Sequence, residues 1–256
     1  MASHPTPISL DRLLARSARP ILVLVAWLLA ACAPDPQPLV FGPPVWTDGE
    51  VSLYRAVDRR GEVVGGVRYQ VRAGGLHVDP DGWTLVREVT EAEASEVVTV
   101  EMAGPGYIPV YTALERRDDQ GSQRVETRIQ RTQADLTLTD RQGNVTYQRL
   151  DIPSDIRDER TLPLIVRALP LEPGYLARMN SFLPVVGVFE RVTVQVRAPE
   201  EITVPAGRFQ AWKVTLETND RTTTLWIGVE PPHPTVKIQD GRSRATFELL
   251  EFTPGR

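Results

Sequence analysis

From about residue 50 onwards the chain alternates apolar and polar side chains with a period of two, and no other feature limits its fold so strongly. Val51, Leu53 and Val57 share one side of a candidate strand, while Val67, Tyr69 and Val71 alternate with Arg68, Gln70 and Arg72. The same beat returns in Val98, Val100 and Met102, in Val125, Thr127 and Ile129, and in Leu136 and Leu138. It returns again in Val192, Val194 and Val196, in Trp212, Val214 and Leu216, and in Phe247 and Leu249. Successive side chains of a strand point to opposite faces, so each run has one face to bury and one to leave wet. Turn-forming Gly, Pro, Asp and Asn separate the runs at residues 58–61, 73–75, 79–82, 104–106, 118–121, 141–144, 218–220 and 240–241. Short strands joined by such turns make an antiparallel meander. The expected fold is therefore mainly β, a curved meander forming a half-barrel or open barrel in one domain over residues 49–256.

One stretch breaks the rhythm. Ile156, Leu162, Ile165, Val166 and Leu169 are spaced for a helix, and Pro163 is acceptable only in a first turn. A short helix over residues 161–168, capped by Thr161, is expected to cover part of the apolar face. Upstream of the sheet, Pro34, Pro36, Pro38, Pro43 and Pro44 make residues 33–48 a stiff extended spacer. A docked arm stays open as the alternative, because Val40, Phe41, Val45 and Trp46 need somewhere to pack.

The first 31 residues read as a secretory leader. Arg12, Arg16 and Arg19 precede an apolar run over residues 20–31 of roughly a dozen residues, the pattern of an n-region and h-region. That is short of the ~20 residues a helix needs to cross a bilayer. The run ends in Leu29-Ala30-Ala31-Cys32, which resembles the lipobox of bacterial lipoproteins. The resemblance implies removal of residues 1–31 and transfer of a diacylglyceryl group to the Cys32 thiol, with residues 32–48 as the tether. Cys32 is the only cysteine, so it has no disulfide partner in the chain. Each buried CH₂ of an acyl chain contributes about 0.8 kcal/mol, so two or three chains hold a protein on a membrane. The expected location is the exported side of the cell membrane or outer membrane, periplasmic or extracellular. Ala33 in place of an aspartate weakly favours the outer membrane.

The last third carries a second resemblance. Pro205-Ala206-Gly207-Arg208-Phe209 leads into Ala211-Trp212-Lys213-Val214, followed by Leu225-Trp226-Ile227, Pro234 with Lys237, and Phe247-Glu248-Leu249-Leu250. This is similar to a family of bacterial periplasmic and lipoprotein domains of unknown function, in which a P-x-G-x-F turn precedes a strand. In that family a W-[IL] strand then precedes a P-x-V-K/R strand. Tyr54, Gly65-Gly66 and Pro173-Gly174 fit the same pattern, which spans most of residues 50–253. The chain departs from it at Pro163 and at Pro231-Pro232-His233-Pro234. The resemblance implies a curved antiparallel sheet similar to the lipoprotein carriers of the Lol system, and no established activity.

Reactive groups are scarce. Beyond the leader only His77 and His233 remain, and no Gly-x-Ser-x-Gly elbow is present. Two histidines without a spare cysteine do not suit a zinc site. Asp79-Pro80-Asp81-Gly82 begins like a calcium loop but lacks the distal ligands, so a hairpin turn is expected. Gly65-Gly66 and Gly74-Gly75 suit bulges and turns and not a phosphate loop. Asn144-Val145-Thr146 is a glycosylation pattern for which a bacterial lipoprotein has no use, and Asp118-Asp119 and Glu200-Glu201 are expected to lie in turns and to be solvated. No catalytic residue, metal site or cofactor is expected, and the chain does not read as an enzyme.

The formal charge of −4 falls to about −6 once the leader is removed, and Lys213 and Lys237 are the only lysines. Scattered arginines on an acidic body exclude the clustered basic face of a nucleic-acid binder. Two functions fit: a module whose concave sheet binds a lipid or other hydrophobic ligand, or a structural or assembly factor that engages another envelope protein. For the anchor, a Cys32→Ser chain is expected to lose incorporation of labelled lipid and to leave the membrane fraction; continued labelling would exclude Cys32 as the acceptor.

Overall fold

The computed structural model describes residues 35–256, and Leu29, Ala30, Ala31 and Cys32 lie outside the described residues. From Pro36 to Arg256 the chain forms one compact unit. Fifteen strands make a single curled sheet. The first eight are β1 (Val51–Val57), β2 (Val63–Ala73), β3 (Trp83–Glu91), β4 (Ala94–Ala103), β5 (Ile108–Asp118), β6 (Gly121–Gln130), β7 (Gln133–Thr139) and β8 (Val145–Asp151). The rest are β9 (Ile156–Asp158), β10 (Leu176–Leu183), β11 (Val188–Val204), β12 (Gly207–Glu217), β13 (Thr222–Gly228), β14 (Thr235–Gln239) and β15 (Thr246–Thr253).

The order across the sheet follows the chain, as a meander requires. β1 pairs with β2 on one side and with β15 on the other, so the sheet runs outwards from β1 to β8 in one direction and from β15 to β9 in the other. Every pair is antiparallel except β9 with β10. Two-residue links suffice for several hairpins: Arg131-Thr132 joins β6 to β7, with Arg131 at φ 53°, and Pro205-Ala206 joins β11 to β12. In the second link the positive φ falls on the residue after it, Gly207 at 132°, because Pro205 is held at about −65°. Gly65 sits where a Cβ would come within 2.3 Å of the Thr90 carbonyl oxygen, so β2 and β3 approach only because that residue is glycine.

The apolar phase read from the sequence forms the concave side. Val98, Val100 and Met102 of β4 face Val192, Val194 and Val196 of β11 within one buried cluster. At the seam between β8 and β9 the sheet closes by packing faces and not by pairing edges. There Ile156 and Phe182 bury against Ile129, Ala134 and Leu136 on the inner faces of β6 and β7. The phase of β1 differs from expectation: Ser52, Tyr54 and Ala56 are buried, while Val51 and Leu53 are half-buried on the other face, and of the expected set only Val57, beyond a register shift, is buried. Tyr54 decides this, since its ring offers more apolar area than a valine and its hydroxyl donates to the Thr235 carbonyl at 2.6 Å.

The helical segment lies at the expected place, as a single α turn (α1, Leu162–Ile165) between two 3-10 turns, Glu159–Thr161 and Val166–Ala168. Its cap is not the expected one. Asp158 accepts from the Arg160 backbone N–H at 2.9 Å, while the Thr161 hydroxyl donates to the Asp158 carbonyl at 2.8 Å. A carboxylate in an extended residue is the better acceptor for a first-turn N–H, and Thr161 is already helical. Pro163 occupies the first turn, as its missing N–H demands.

The proline-rich stretch is extended, but residues 36–48 are part of the body and not a free spacer. Gln37 N–H donates to Leu176 O at 2.7 Å, and Gly42 N–H to Ala168 O at 2.7 Å. Trp46 is 2% exposed, its ring 5.0 Å from Tyr107 and 5.9 Å from Trp83, and Phe41 meets Tyr107 edge-on at 5.4 Å. Two large aromatics bury more area than the solvated spacer would keep, so the docked form wins. Arg157 lies over the Phe41 ring at 5.2 Å and donates to the carbonyls of Asp155 and Ile156; burial pulls its guanidinium down to about 10.

Tyr107 sits beneath this arm and donates to the Gly42 carbonyl at 3.0 Å, and burial pushes its phenol up to about 12. The unfolded chain would release that proton near pH 10 while the native state keeps it. Stability is therefore expected to fall as pH rises from about 10 to about 12. Denaturant midpoints measured across this window should decline less steeply for Tyr107→Phe; an unchanged slope would assign the proton to another group.

Candidate functional site

The helical segment lies inside the curl of the sheet and divides the interior. Below it, Leu164 and Arg167 face Val71, Leu85 and Glu50 with almost no free space. Above it lies an open cavity of about 460 Å³. Leu162 and Pro163 form its floor; Tyr69, Val89 and Leu114 line one wall, and Val192, Leu216, Ile238 and Phe247 the other. Val185 and Val186, from the turn between β10 and β11, complete the flank. The size falls within the roughly 300–1,000 Å³ of small-molecule sites, which are also mostly apolar with a few placed polar groups.

The polar groups cluster at the mouth. Arg87 on β3 and Glu96 on β4 form a pair at 2.8 Å on the inner face of the sheet. Arg221, immediately before β13, bonds Glu159 at 2.9 Å and also Glu190. The Glu190 carboxylate, against the opposing effect of burial and with help from Glu159, holds Arg221 above the ordinary guanidinium range. Arg242 reaches Glu159 at 3.2 Å from the β14–β15 turn. Arg160 forks onto the fully buried Asp158, which also accepts from Thr112 at 3.1 Å. One nitrogen of Arg160, Nη1, is buried without a hydrogen-bond partner. Chemically the site offers an apolar pocket behind a ring of paired charges, with the means to bind and orient a molecule.

The plug that makes the floor is held by buried polar contacts. Arg167 and Glu50 pair at 2.5 Å with side chains 3% and 2% exposed, and Arg167 also donates to the Pro232 carbonyl at 2.8 Å. Thr235 donates its hydroxyl to the Pro163 carbonyl at 2.7 Å. These contacts fix the plug to both halves of the sheet.

The residues singled out in the sequence lie elsewhere. His77, in the loop between β2 and β3, stacks on Tyr111 at 4.0 Å, and its Nδ1 lies 3.1 Å from the buried Glu101 carboxylate. His233 occupies the loop between β13 and β14, with Nδ1 3.0 Å from the Gly228 carbonyl. Neither lines the cavity. Residues 79–82 form the expected hairpin turn, closed by Gly82 N–H to Asp79 O at 2.8 Å. Glu200 is not in a turn as expected but on β11, where it accepts from Trp226 Nε1 at 2.6 Å. Lys213 and Lys237 flank that same ring at 5.5 and 5.6 Å. Among the described residues there is no cluster of three or more His, Cys, Asp or Glu that could hold a metal ion, and no helix long and apolar enough to cross a membrane. The mouth residues were missed because they come from separate elements. One signal was available: Arg87 stands in phase with Leu85 and Val89, and Glu96 in phase with Val98, so charges occupy core positions of two adjacent strands.

Residues 53–246 match the family described as Protein of unknown function (DUF3108). The chain belongs to the DUF3108 family. No curated protein matches it significantly. Among solved structures it is similar to a beta-barrel-like protein of domain of unknown function DUF1849 from Brucella abortus. The TM-score is 0.51 at 12% identity, with 82% of this chain and 99% of that one covered. At that identity the likeness is one of fold. A candidate lipoprotein from Parabacteroides distasonis matches at a TM-score of 0.32 and 15% identity, covering 85% of this chain and 100% of that one.

The plug can be tested directly. Glu50→Leu would leave the Arg167 charge buried and unpaired, which typically costs about 3–5 kcal/mol, whereas the double variant Glu50→Leu/Arg167→Leu is expected to recover much of that loss. Denaturant unfolding of the two variants checks this; equal destabilisation would mean the pair does not hold the plug.

Proposed function

We propose that this DUF3108 protein is a lipoprotein of the cell envelope, anchored through Cys32, whose non-catalytic barrel-like domain binds a lipid or other hydrophobic ligand. The observation that carries the reading is the cavity of about 460 Å³, apolar in its depth and ringed by paired charges at its mouth. A filled interior would leave no such volume, because protein cores pack as densely as organic crystals. An apolar cavity open to water retains wet hydrophobic surface, and a ligand that covers that surface gains roughly 25 cal/mol per Å² of apolar area. The charge ring leaves the entrance soluble and suits a molecule with an apolar body and a polar end. The lipobox at Leu29, Ala30, Ala31 and Cys32 supports placing this domain beside a membrane, where such molecules are found. The second reading, an assembly factor that engages another envelope protein, is favoured by Val186, Val188 and Phe189, which lie 60%, 47% and 50% exposed near the mouth.

Full-length protein incubated with envelope extract and examined by native mass spectrometry is expected to retain a bound apolar species and to take up a dansyl fatty acid in fluorescence titration. Val185→Trp, which fills the flank of the cavity, should weaken uptake of the probe by at least about tenfold, the equivalent of roughly 1.4 kcal/mol. Absence of both bound species and probe uptake in the unmodified protein would rule the ligand-binding reading out.

A further inference from the structure

The two edges of the sheet are treated differently. β9 is covered: Ile156, Arg157 and Asp158 are all buried, and Thr112 of β5 bonds Asp158. β8 is bare. Six of its seven residues are exposed on both faces, with Tyr147 at 79%, and no described residue pairs with its outer edge. Burial does not hold this strand in place. Its hydrogen bonds to β7 and a well-made turn do, in which Asp140 accepts from the N–H groups of Gln142 and Asn144. Natural sheets usually blunt an edge with lysine, proline or a bulge, and the sequence Val-Thr-Tyr-Gln-Arg-Leu-Asp contains no lysine, proline or bulge, only an arginine and a terminal aspartate.

The phase of the ladder fixes which groups are unused. At one end Asp140 N–H bonds Asn144 O, and at the other Ile152 N–H bonds Thr132 O. Antiparallel pairs alternate between bonded and non-bonded, so Thr146, Gln148 and Leu150 spend their backbone groups on β7. Val145, Tyr147, Arg149 and Asp151 direct theirs outwards. We propose that this edge pairs with the same edge of a second copy of the chain, antiparallel about a two-fold axis through Gln148. In that register every outward group of one β8 meets an outward group of the other. Registers centred on Tyr147 or Arg149 leave one end of each strand unpaired. The register also sets each Tyr147 ring against the Arg149 guanidinium of the other copy, a cation–π contact made twice, while Arg149 keeps its bond to Asp135. The contact is isologous and closes on itself as a dimer. It joins two curled sheets without touching either cavity mouth charge pair.

A single strand pair is a small contact, so the test traps it covalently. The two Gln148 residues form a non-bonded pair with Cα atoms about 4.5 Å apart, within the range a disulfide spans. Full-length Gln148→Cys in membranes, mildly oxidised, is expected to yield a disulfide-linked homodimer that the unmodified chain, with Cys32 alone, does not. Tyr147→Lys added to it sets like charges face to face across the axis and should abolish the crosslink without disturbing the fold. Tyr147→Pro, which removes the outward N–H together with the ring but no hydrogen bond to β7, should do the same. A Gln148→Cys chain that stays monomeric, bonds internally to Cys32, or crosslinks to a different protein would overturn the proposal, as would a dimer that persists in both Tyr147 variants.

Discussion

A concave face built from alternate residues of many strands is too apolar to be left in water, and the segment Glu159–Ala168 is what covers its lower half. The segment carries Leu162, Leu164, Ile165 and Val166 into the core with under 6% exposure each, so most of its own side chains are spent on the task. It also carries Arg167, whose charge would be prohibitive there without Glu50. The pairing ties the plug to the residue just before β1, and the hydroxyl of Thr235 ties it to β14 on the other half. The height of the plug inside the curl then follows, and with it the division of the interior into a packed lower half and an open upper cavity.

The same arrangement explains why the N-terminal arm docks. The lower end of the curl is closed by aromatic rings, Trp46 and Phe41 from the arm against Tyr107 and Trp83 from the sheet. Arg167 lies 5.9 Å from the Trp46 ring, so arm, plug and sheet share one contact region. The arm thereby shields the buried ion pair on the side where water would otherwise reach it. The upper end has no equivalent closure: its rim charges satisfy one another, and the space between the apolar walls stays open.

Much of the sheet was legible in the sequence because a strand with one wet face and one dry face writes that fact into alternate residues. β4, β6 and β11 read in this way and bury the expected side chains, and β7 and β12 bury Leu136, Val214 and Leu216 while Leu138 and Trp212 pack half-buried against the core. β13 did not show the alternation, because both its faces are covered; Leu225 and Ile227 face the core while Trp226 lies between two lysines on the outside. β8 did not show it either, for the opposite reason that neither face is buried. β1 misled because its buried phase is set by Ser52, Tyr54 and Ala56, with Val57 buried only beyond a register shift. Of the candidate site, the sequence carried only the misplaced charges Arg87 and Glu96, each a core-phase position held by a polar residue.

By itself the sequence determined the meander, the single helical interruption and the apolar concave face, since these depend on local periodicity and on turn residues that act over a few positions. It also holds the lipobox pattern, which is a linear signal. Only the tertiary structure decided that residues 36–48 belong to the body, that Glu50 and Arg167 meet across 117 positions, and that Glu159, Glu190, Arg221 and Arg242 converge at one mouth. Such contacts join residues far apart in the chain, and their energies depend on burial and geometry that no local pattern encodes. The cavity is of the same kind: it is space left between elements, and a sequence has no symbol for space.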